Sequence, residues 1–181
     1  EEIGMIDPDF QSIDDYVDIE SKNAYQALLE KGYTPEDAFE IIQIKSRDNA
    51  RTPMQWDTTE NAGFSKGTPW LSVGNHKEIN VEQDKDGEIF QFYKKLIALR
   101  KSDTLISQGN YKAAYQDSEH IYAFIREDEG RKLLVVNNFS NQVVDFNLMP
   151  DFKHHQILVN NYTEYTENSL QPYQSIAFLC G

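Results

Sequence analysis

Cysteine is nearly absent. The 181 residues include one, Cys180, so an internal disulfide framework is excluded and a reducing compartment suits the chain. Long apolar runs are missing as well: no stretch approaches the roughly 18 residues of a membrane-spanning helix. The opening EEIGMIDPDF has neither the basic nor the apolar part of a secretion signal, and cytoplasmic residence is the expectation. Cations are scarce, with 17 Lys and Arg against 30 Asp and Glu and a formal net charge of -13. Nucleic acids and anionic membranes are held through Lys and Arg contacts to phosphate, so neither is an expected partner, whereas a neutral small molecule is. There is no Gly-rich phosphate loop, no G-x-S-x-G turn and no Cys-His pair. The histidines His76, His120, His154 and His155 lack metal-ligand spacing, and His154-His155 reads as a solvated turn. The acidic run DPDFQSIDDYVDIES lacks the glycine and spacing of a calcium loop and reads as an exposed, helix-capping segment. No metal or cofactor is expected on this chain. It starts on charged residues without Met, turn or cap, which suggests a fragment of a longer polypeptide.

What is present is enough for a folded, globular protein, at 39% hydrophobic and 12% aromatic residues. Residues 21–32, SKNAYQALLEKG, predict a short amphipathic helix with Ser21 at the N-cap, Ala24, Tyr25, Leu28 and Leu29 on one face, and Gly32 as the stop. TPEDAFEIIQIKS predicts a second, with Thr34 as N-cap, Pro35 at the first position and Ala38, Phe39, Ile41 and Ile42 as its stripe. Residues 50–86 lose periodicity, and Trp56, Phe64 and Trp70 argue for an ordered loop packed around its aromatics. A strong helix returns over 87–101, with Ile89, Tyr93, Leu96 and Ile97 at helical spacing. Thereafter the segments are short, β-branched and aromatic, separated by turn residues such as Glu129-Gly130 and Gln171-Pro172, and alternation at Val144, Phe146 and Leu148 marks a half-buried strand. An antiparallel β-sandwich over 104–181 is the expectation.

The segment SRDNARTPMQWD at 46–57 gathers the most chemistry. From the residues alone, Arg47 is either a helix-end cation paired to Asp48 or another acidic neighbour, or a planar donor fork for a ligand. Asn49, Arg51 and Asp57 read first as groups that satisfy the backbone of an ordered loop. Trp56 is either core or a stacking platform for a sugar.

Six blocks in order, EEIGM, DIES, SRDNARTPMQWD, NAGFSKGTPW, EIN and FYKKLIALRK, resemble the carboxy-terminal third of glycoside hydrolase family 13 α-glucosidases, in particular the oligo-1,6-glucosidase and dextran glucosidase group. The resemblance implies a (β/α)8 barrel followed by a β-sandwich. Residues 1–103 would be the carboxy-terminal part of the barrel, the last barrel helix included, and 104–181 the sandwich. It implies that Arg47 helps hold the terminal hydroxyl of the non-reducing glucose and that Glu20 contacts the sugar on the leaving-group side, with Asp48, Asn49 and Arg51 keeping the loop rigid and the Pro and Trp anchoring it. It also implies that the catalytic carboxylates of a retaining glycosidase and the usual calcium loop lie upstream, so no catalytic residue is expected here and the chain alone is expected to be inert. An oligosaccharide substrate and the upstream barrel portion of the same protein are the implied partners.

Two positions depart from many relatives: Val17 where Arg is usual and Ser46 where Gly is usual. Ser46 is shared with trehalose-6-phosphate hydrolases, which makes that activity the alternative to α-1,6 cleavage. An alternative of another class is a non-catalytic module that binds glycan or stabilises the barrel. Glycan modules carry an exposed row of Trp or Tyr on a sheet face. Residues 104–181 have no Trp, and Tyr111, Tyr115, Tyr122, Tyr162, Tyr165 and Tyr173 are spread across segments, so structural support is the expectation. The apolar face of 87–101 then needs cover from the sandwich, a dimer or an upstream portion.

Overall fold

The structure, a computed structural model, describes residues 2–181. The chain divides into two compact units, one ending at Tyr93 and one running Lys94–Gly181. The division falls inside a helix, upstream of the expected boundary at 103/104.

The first unit is built on α1 (Ile19–Glu30) and α2 (Pro35–Lys45). Asp18, not Ser21, is the N-cap of α1: its carboxylate accepts from Ser21 N at 3.0 Å, so Ser21 is the donor in the cap. At the other end Gly32 takes φ +91, and Tyr33 N and Gly32 N bond to the carbonyls of Leu28 and Leu29. This is a left-handed helix stop that glycine adopts without strain. Thr34 caps α2 through Asp37 N at 3.1 Å, with Pro35 in the first turn. Ala38 and Ile42 are buried on the inner side of α2, and Ile42 packs with Phe10, Tyr16 and Leu71, joined by Tyr25, Leu28 and Phe39. The Tyr16 ring stands edge-on to Phe10 at 4.8 Å. Ala24, expected on the inner face of α1, is exposed.

The loop from 50 onward is ordered, but not by its aromatics. Trp56, Phe64 and Trp70 are half to four-fifths exposed, whereas Pro53, Gln55, Leu71 and Asn80 are buried. Polar groups supply the order: the Ala62 carbonyl accepts from Trp56 N and Asp57 N, Asp57 Oδ1 accepts from Thr59 N at 2.8 Å, and Gln55 donates to the Ile79 carbonyl. Gly63 is required by geometry, since at φ +65 a Cβ there would stand 2.5 Å from Asp57 Oδ2. Asn80 caps the short α3 (Val81–Asp84) through Gln83 N.

The helix α4 (Glu88–Ser102) forms as its period predicts, yet buries none of its residues. Ile89, Leu96 and Ile97 remain exposed.

In the second unit α4 is followed by a turn of helix the sequence did not signal, α5 (Thr104–Gln108), capped by Asp103 through Leu105 N at 2.9 Å. Arg131 grips the same carboxylate with two bonds, at 3.1 and 2.9 Å, and this holds the Asp103 carboxyl below its usual range. The strands are β1 (Asn110–Ala114), β2 (Ile121–Asp128), β3 (Arg131–Asn138), β4 (Val144–Asp145), β5 (Gln156–Asn160), β6 (Ser169–Leu170) and β7 (Ser175–Cys180). They form an antiparallel five-stranded sheet in the order β1-β2-β3-β7-β5 and a two-stranded sheet β4-β6. Glu129 and Gly130, both at positive φ, make the two-residue turn between β2 and β3 whose twist matches the strands. Phe146, Phe152, Leu170, Ile176, Phe178, Leu134 and Val136 fill the core.

Two readings of this unit are corrected. His155 is not solvated: its Nδ1 lies 2.8 Å from the Phe152 carbonyl and its ring stands edge-on to Phe178 at 4.7 Å, because the turn after Phe152 folds the ring inward. Of the six tyrosines, Tyr111 and Tyr122 also meet in space, whereas Tyr115 and Tyr165 pack against the core. The β1–β2 register sets Tyr111 opposite Arg126, so Tyr111 stacks on Phe124 at 5.5 Å and Tyr122 lies 6.0 Å from both Phe124 and Phe139. Tyr111, Tyr122 and Phe139 are exposed, forming an aromatic row that sequence separation concealed.

Candidate functional site

Arg47 sits just past α2. Ser46 ends that helix and caps the following 3-10 turn, Arg47–Arg51, by accepting from Asp48 N at 3.2 Å. The turn drives successive side chains in different directions: Asp48 points in and is fully buried, while Arg47 points out. Arg47 does not pair with Asp48. Its Nη2 donates to Asp18 Oδ1 at 2.8 Å and lies 2.8 Å from Glu20 Oε2. The two residues singled out from sequence, Arg47 and Glu20, therefore meet directly, one from the turn and one from the first turn of α1.

Beneath them is a buried polar layer. Asp48 Oδ2 accepts from Val17 N and Asp18 N, each at 2.8 Å, tying the turn to the start of α1. Asn49 Nδ2 donates to the Gln43 carbonyl at 2.7 Å, and Arg51 Nη1 lies 3.4 Å from Asp18 Oδ1 and 3.7 Å from Asp48 Oδ1. These three residues hold the loop through its backbone and charges. Pro53 is buried in the loop, whereas Trp56 is half exposed and so not a core residue; its main chain is held at both ends, N donating to the Ala62 carbonyl and O accepting from Glu82 N. Asp18, Glu20, Ser21, Lys45, Ser46 and Arg47 line a depression of about 120 Å³. A larger depression of about 340 Å³, between Met5, Asp7, Asn49 and Met54, includes neither Arg47 nor Glu20.

Asp18 is the residue the sequence reading missed. Its side chain is 7% exposed and receives Ser21 N, Ser21 Oγ, Arg47 and Arg51. Burial pushes its pKa up, but the bonds from Ser21 and Arg47 outweigh burial and hold the carboxyl below its usual value. The Asp57 carboxyl is also held low, by Thr59 Oγ1 and Thr59 N. A carboxylate whose folded pKa is depressed stabilises the fold above its unfolded value of about 3.9, and that contribution is lost as pH falls through the lower folded value. Acid titration followed by the fluorescence of Trp56 and Trp70, both in this unit, is expected to stay flat down to about pH 4 and to change only below it. A transition centred above about pH 5 would contradict this assignment.

Among the described residues, no group of three or more His, Cys, Asp or Glu is placed to hold a metal ion. The acidic run serves local caps instead: Asp15 Oδ2 accepts from Gln11 N and Ser12 N, and Asp18 caps α1. No helix among the described residues is long and apolar enough to cross a membrane.

Residues 1–109 match the family described as alpha amylase, catalytic domain. The chain belongs to the alpha-amylase family. Residues 121–177 match the alpha-amylase SusG C-terminal domain, a stretch that lies within the sheet-forming unit. Among its relatives in this family, the trehalose-6-phosphate hydrolase of Bacillus subtilis is 43% identical over 98% of this chain and 34% of that protein. The oligo-1,6-glucosidase of Bacillus cereus is likewise 43% identical, over 98% of this chain and 34% of its own length. The crystal structure of Bacillus licheniformis trehalose-6-phosphate hydrolase superposes with a TM-score of 0.84 at 42% identity, covering 98% of this chain and 34% of that one. This alpha-amylase family chain thus spans about a third of the length of the curated relatives it matches.

Proposed function

We propose that the chain forms the carboxy-terminal part of a retaining α-glucosidase that removes terminal α-1,6-linked glucose from isomalto-oligosaccharides in the cytoplasm. Residues 1–103 close its barrel and 104–181 form its sandwich. Arg47 holds the terminal hydroxyl of the non-reducing glucose, and Glu20 contacts the sugar on the leaving-group side. The observation that carries the reading is the meeting of Arg47 and Glu20 at 2.8 Å on an exposed edge. A guanidinium there presents several donors in a fixed plane, which orients a polyhydroxylated ring rather than merely attracting it.

Retaining hydrolysis needs two carboxyl groups about 5–5.5 Å apart across the scissile bond, one as nucleophile and one as acid and base. Asp18 and Asp48 are consumed by hydrogen bonds to the fold, and Glu20 is paired to Arg47, so neither role falls to this cluster. The part played by this chain is orientation, while the carboxylates come from the upstream barrel portion. The trehalose-6-phosphate hydrolase reading keeps its place beside this one because relatives of both kinds are equally similar and Ser46 is shared with that group.

The test is glucose release from isomaltose and from trehalose-6-phosphate. The 181-residue chain alone is expected to release none from either, and addition of the upstream barrel portion is expected to restore release, faster from isomaltose. Release by the chain alone would overturn the upstream placement of the carboxylates. Preference for trehalose-6-phosphate would replace the substrate but keep the reaction.

A further inference from the structure

We infer that Asp18 is a positioning residue for sugar binding: it fixes the Arg47 guanidinium in the orientation that the proposed glucose contact uses. The inference rests on the α-glucosidase reading above. Its basis is a division of labour between the two oxygens of one carboxylate. Oδ2 accepts from Ser21 N and Ser21 Oγ, both at 3.0 Å, and so completes the cap of α1. Oδ1 accepts from Arg47 Nη2 at 2.8 Å and lies 3.4 Å from Arg51 Nη1. One oxygen belongs to the helix and the other to the guanidinium groups.

The surrounding network makes Asp18 a fixed reference. The Ser21 hydroxyl gives its proton to Asp18, so in its contact with Ser46 Oγ at 2.8 Å it is Ser46 that donates. Ser46 Oγ in turn accepts from Asp48 N, and Asp48 Oδ2 accepts from the backbone of Asp18 itself. The ring of bonds closes, holding Asp18 by both its main chain and its side chain. Exposure divides the cluster the same way: the Asp18 side chain is 7% exposed, that of Arg47 55% and that of Glu20 72%. Glu20 reaches the same Nη2 from solvent, and it is the partner a sugar hydroxyl can displace while Asp18 stays in place. A planar fork anchored at one nitrogen keeps the direction of its remaining donors. Glu20 rides on the helix turn that Asp18 caps, so both sugar-contacting groups take their position from this one carboxylate.

Asp18→Asn separates the two tasks. Asn has one acceptor oxygen and is a good N-cap. That oxygen stays with Ser21, and the amide NH2 then faces Arg47 and Arg51, donor against donor. In the full-length glucosidase that carries this segment, D18N is expected to raise KM for isomaltose about tenfold, with kcat within about twofold, the signature of lost uniform binding. The thermal midpoint is expected to shift by only a few degrees. D18S, which keeps a cap acceptor but is too short to reach Arg47, is expected to give the same KM and guards against a folding failure of the first variant. Adding D18N to Arg47→Gln is expected to cause no further rise, since Asp18 acts through Arg47. In the 181-residue chain, the Arg47 side-chain NH resonance is expected to lose its protection from solvent exchange in D18N. If R47Q raises KM while D18N and D18S do not, or if D18N and R47Q add independently, the positioning role is overturned and the α-glucosidase reading stands. If R47Q itself leaves KM unchanged, that reading of Arg47 fails and the role of Asp18 falls with it.

Discussion

Asp48→Ala is expected to destabilise the unit that ends at Tyr93 by about 3 kcal/mol, whereas Asp48→Asn should cost about 1 kcal/mol. Asp48 is fully buried, and its Oδ2 is the acceptor for both Val17 N and Asp18 N at 2.8 Å. A hydrogen bond to a charged group contributes about 1.5–3 kcal/mol, and a buried amide left without an acceptor costs about 1–3 kcal/mol. Alanine removes both acceptor contacts at once and also the charge 3.7 Å from Arg51. Asparagine can place its oxygen where Oδ2 stands and keep both amides satisfied. Its cost is the loss of charge beside Arg51, which is about half exposed and so screened by solvent. The other oxygen, Oδ1, has no hydrogen-bond partner and lies 3.7 Å from Arg51 Nη1, so an amide nitrogen there breaks no hydrogen bond, and its cost is a donor turned toward the Arg51 guanidinium in place of a charge. Urea unfolding followed by the fluorescence of Trp56 and Trp70 measures both variants. Equal costs for the two would mean that charge, not the pair of backbone bonds, is what Asp48 supplies.

The contrast between Asp48 and Arg47 shows what the sequence could and could not convey. Adjacent polar residues in a charged loop look alike in sequence: Asn49 and Arg51 read from the residues alone as groups that satisfy the loop backbone, whereas the same role for Asp48 came only from the resemblance. What separates them is the 3-10 turn, which sends Asp48 inward and Arg47 outward. Helix limits were legible where local chemistry sets them, as at Thr34, Pro35 and Gly32. They were misread by three residues at the start of α1, because Asp18 and Ser21 are both good cap formers and only the folded geometry shows which accepts and which donates. The pattern Asp-x-x-Ser before an apolar run was the available signal for Asp18. Contacts between distant segments left no local trace. The Arg47–Glu20 pair joins a loop to a helix, and the row of Tyr111, Tyr122 and Phe139 around the half-buried Phe124 exists only because β2 pairs with β1 in one register and with β3 in another. The exposure of Trp56, Phe64 and Trp70 was equally hidden, because composition suggests that aromatics pack but does not say against what.

Phe178→Ala is expected to be the most damaging single change in the second unit, costing about 3–5 kcal/mol. Phe178 is fully buried on β7, opposite Leu134 of β3 on one side and Ile157 of β5 on the other. Its ring stacks on Phe146 at 6.1 Å and meets Tyr165 at 5.3 Å and His155 at 4.7 Å edge-on. Phe146 follows β4, so the ring ties the five-stranded sheet to the segment that carries the smaller one. Truncation loses the transfer energy of the ring and leaves a void that rigid strands on both sides cannot close. For a domain of this size the loss corresponds to a fall in melting temperature of roughly 15–30 °C. Phe178→Leu refills part of the space and should cost about 1–2 kcal/mol. The near-ultraviolet circular dichroism of tyrosine, to which Tyr165 beside the ring contributes, follows the melting of both variants. A cost below about 1 kcal/mol for alanine would mean that the core is loosely packed, and the tie between the sheets would then have to reside in Phe152 and Leu170, fully buried members of that cluster that lie outside the five-stranded sheet.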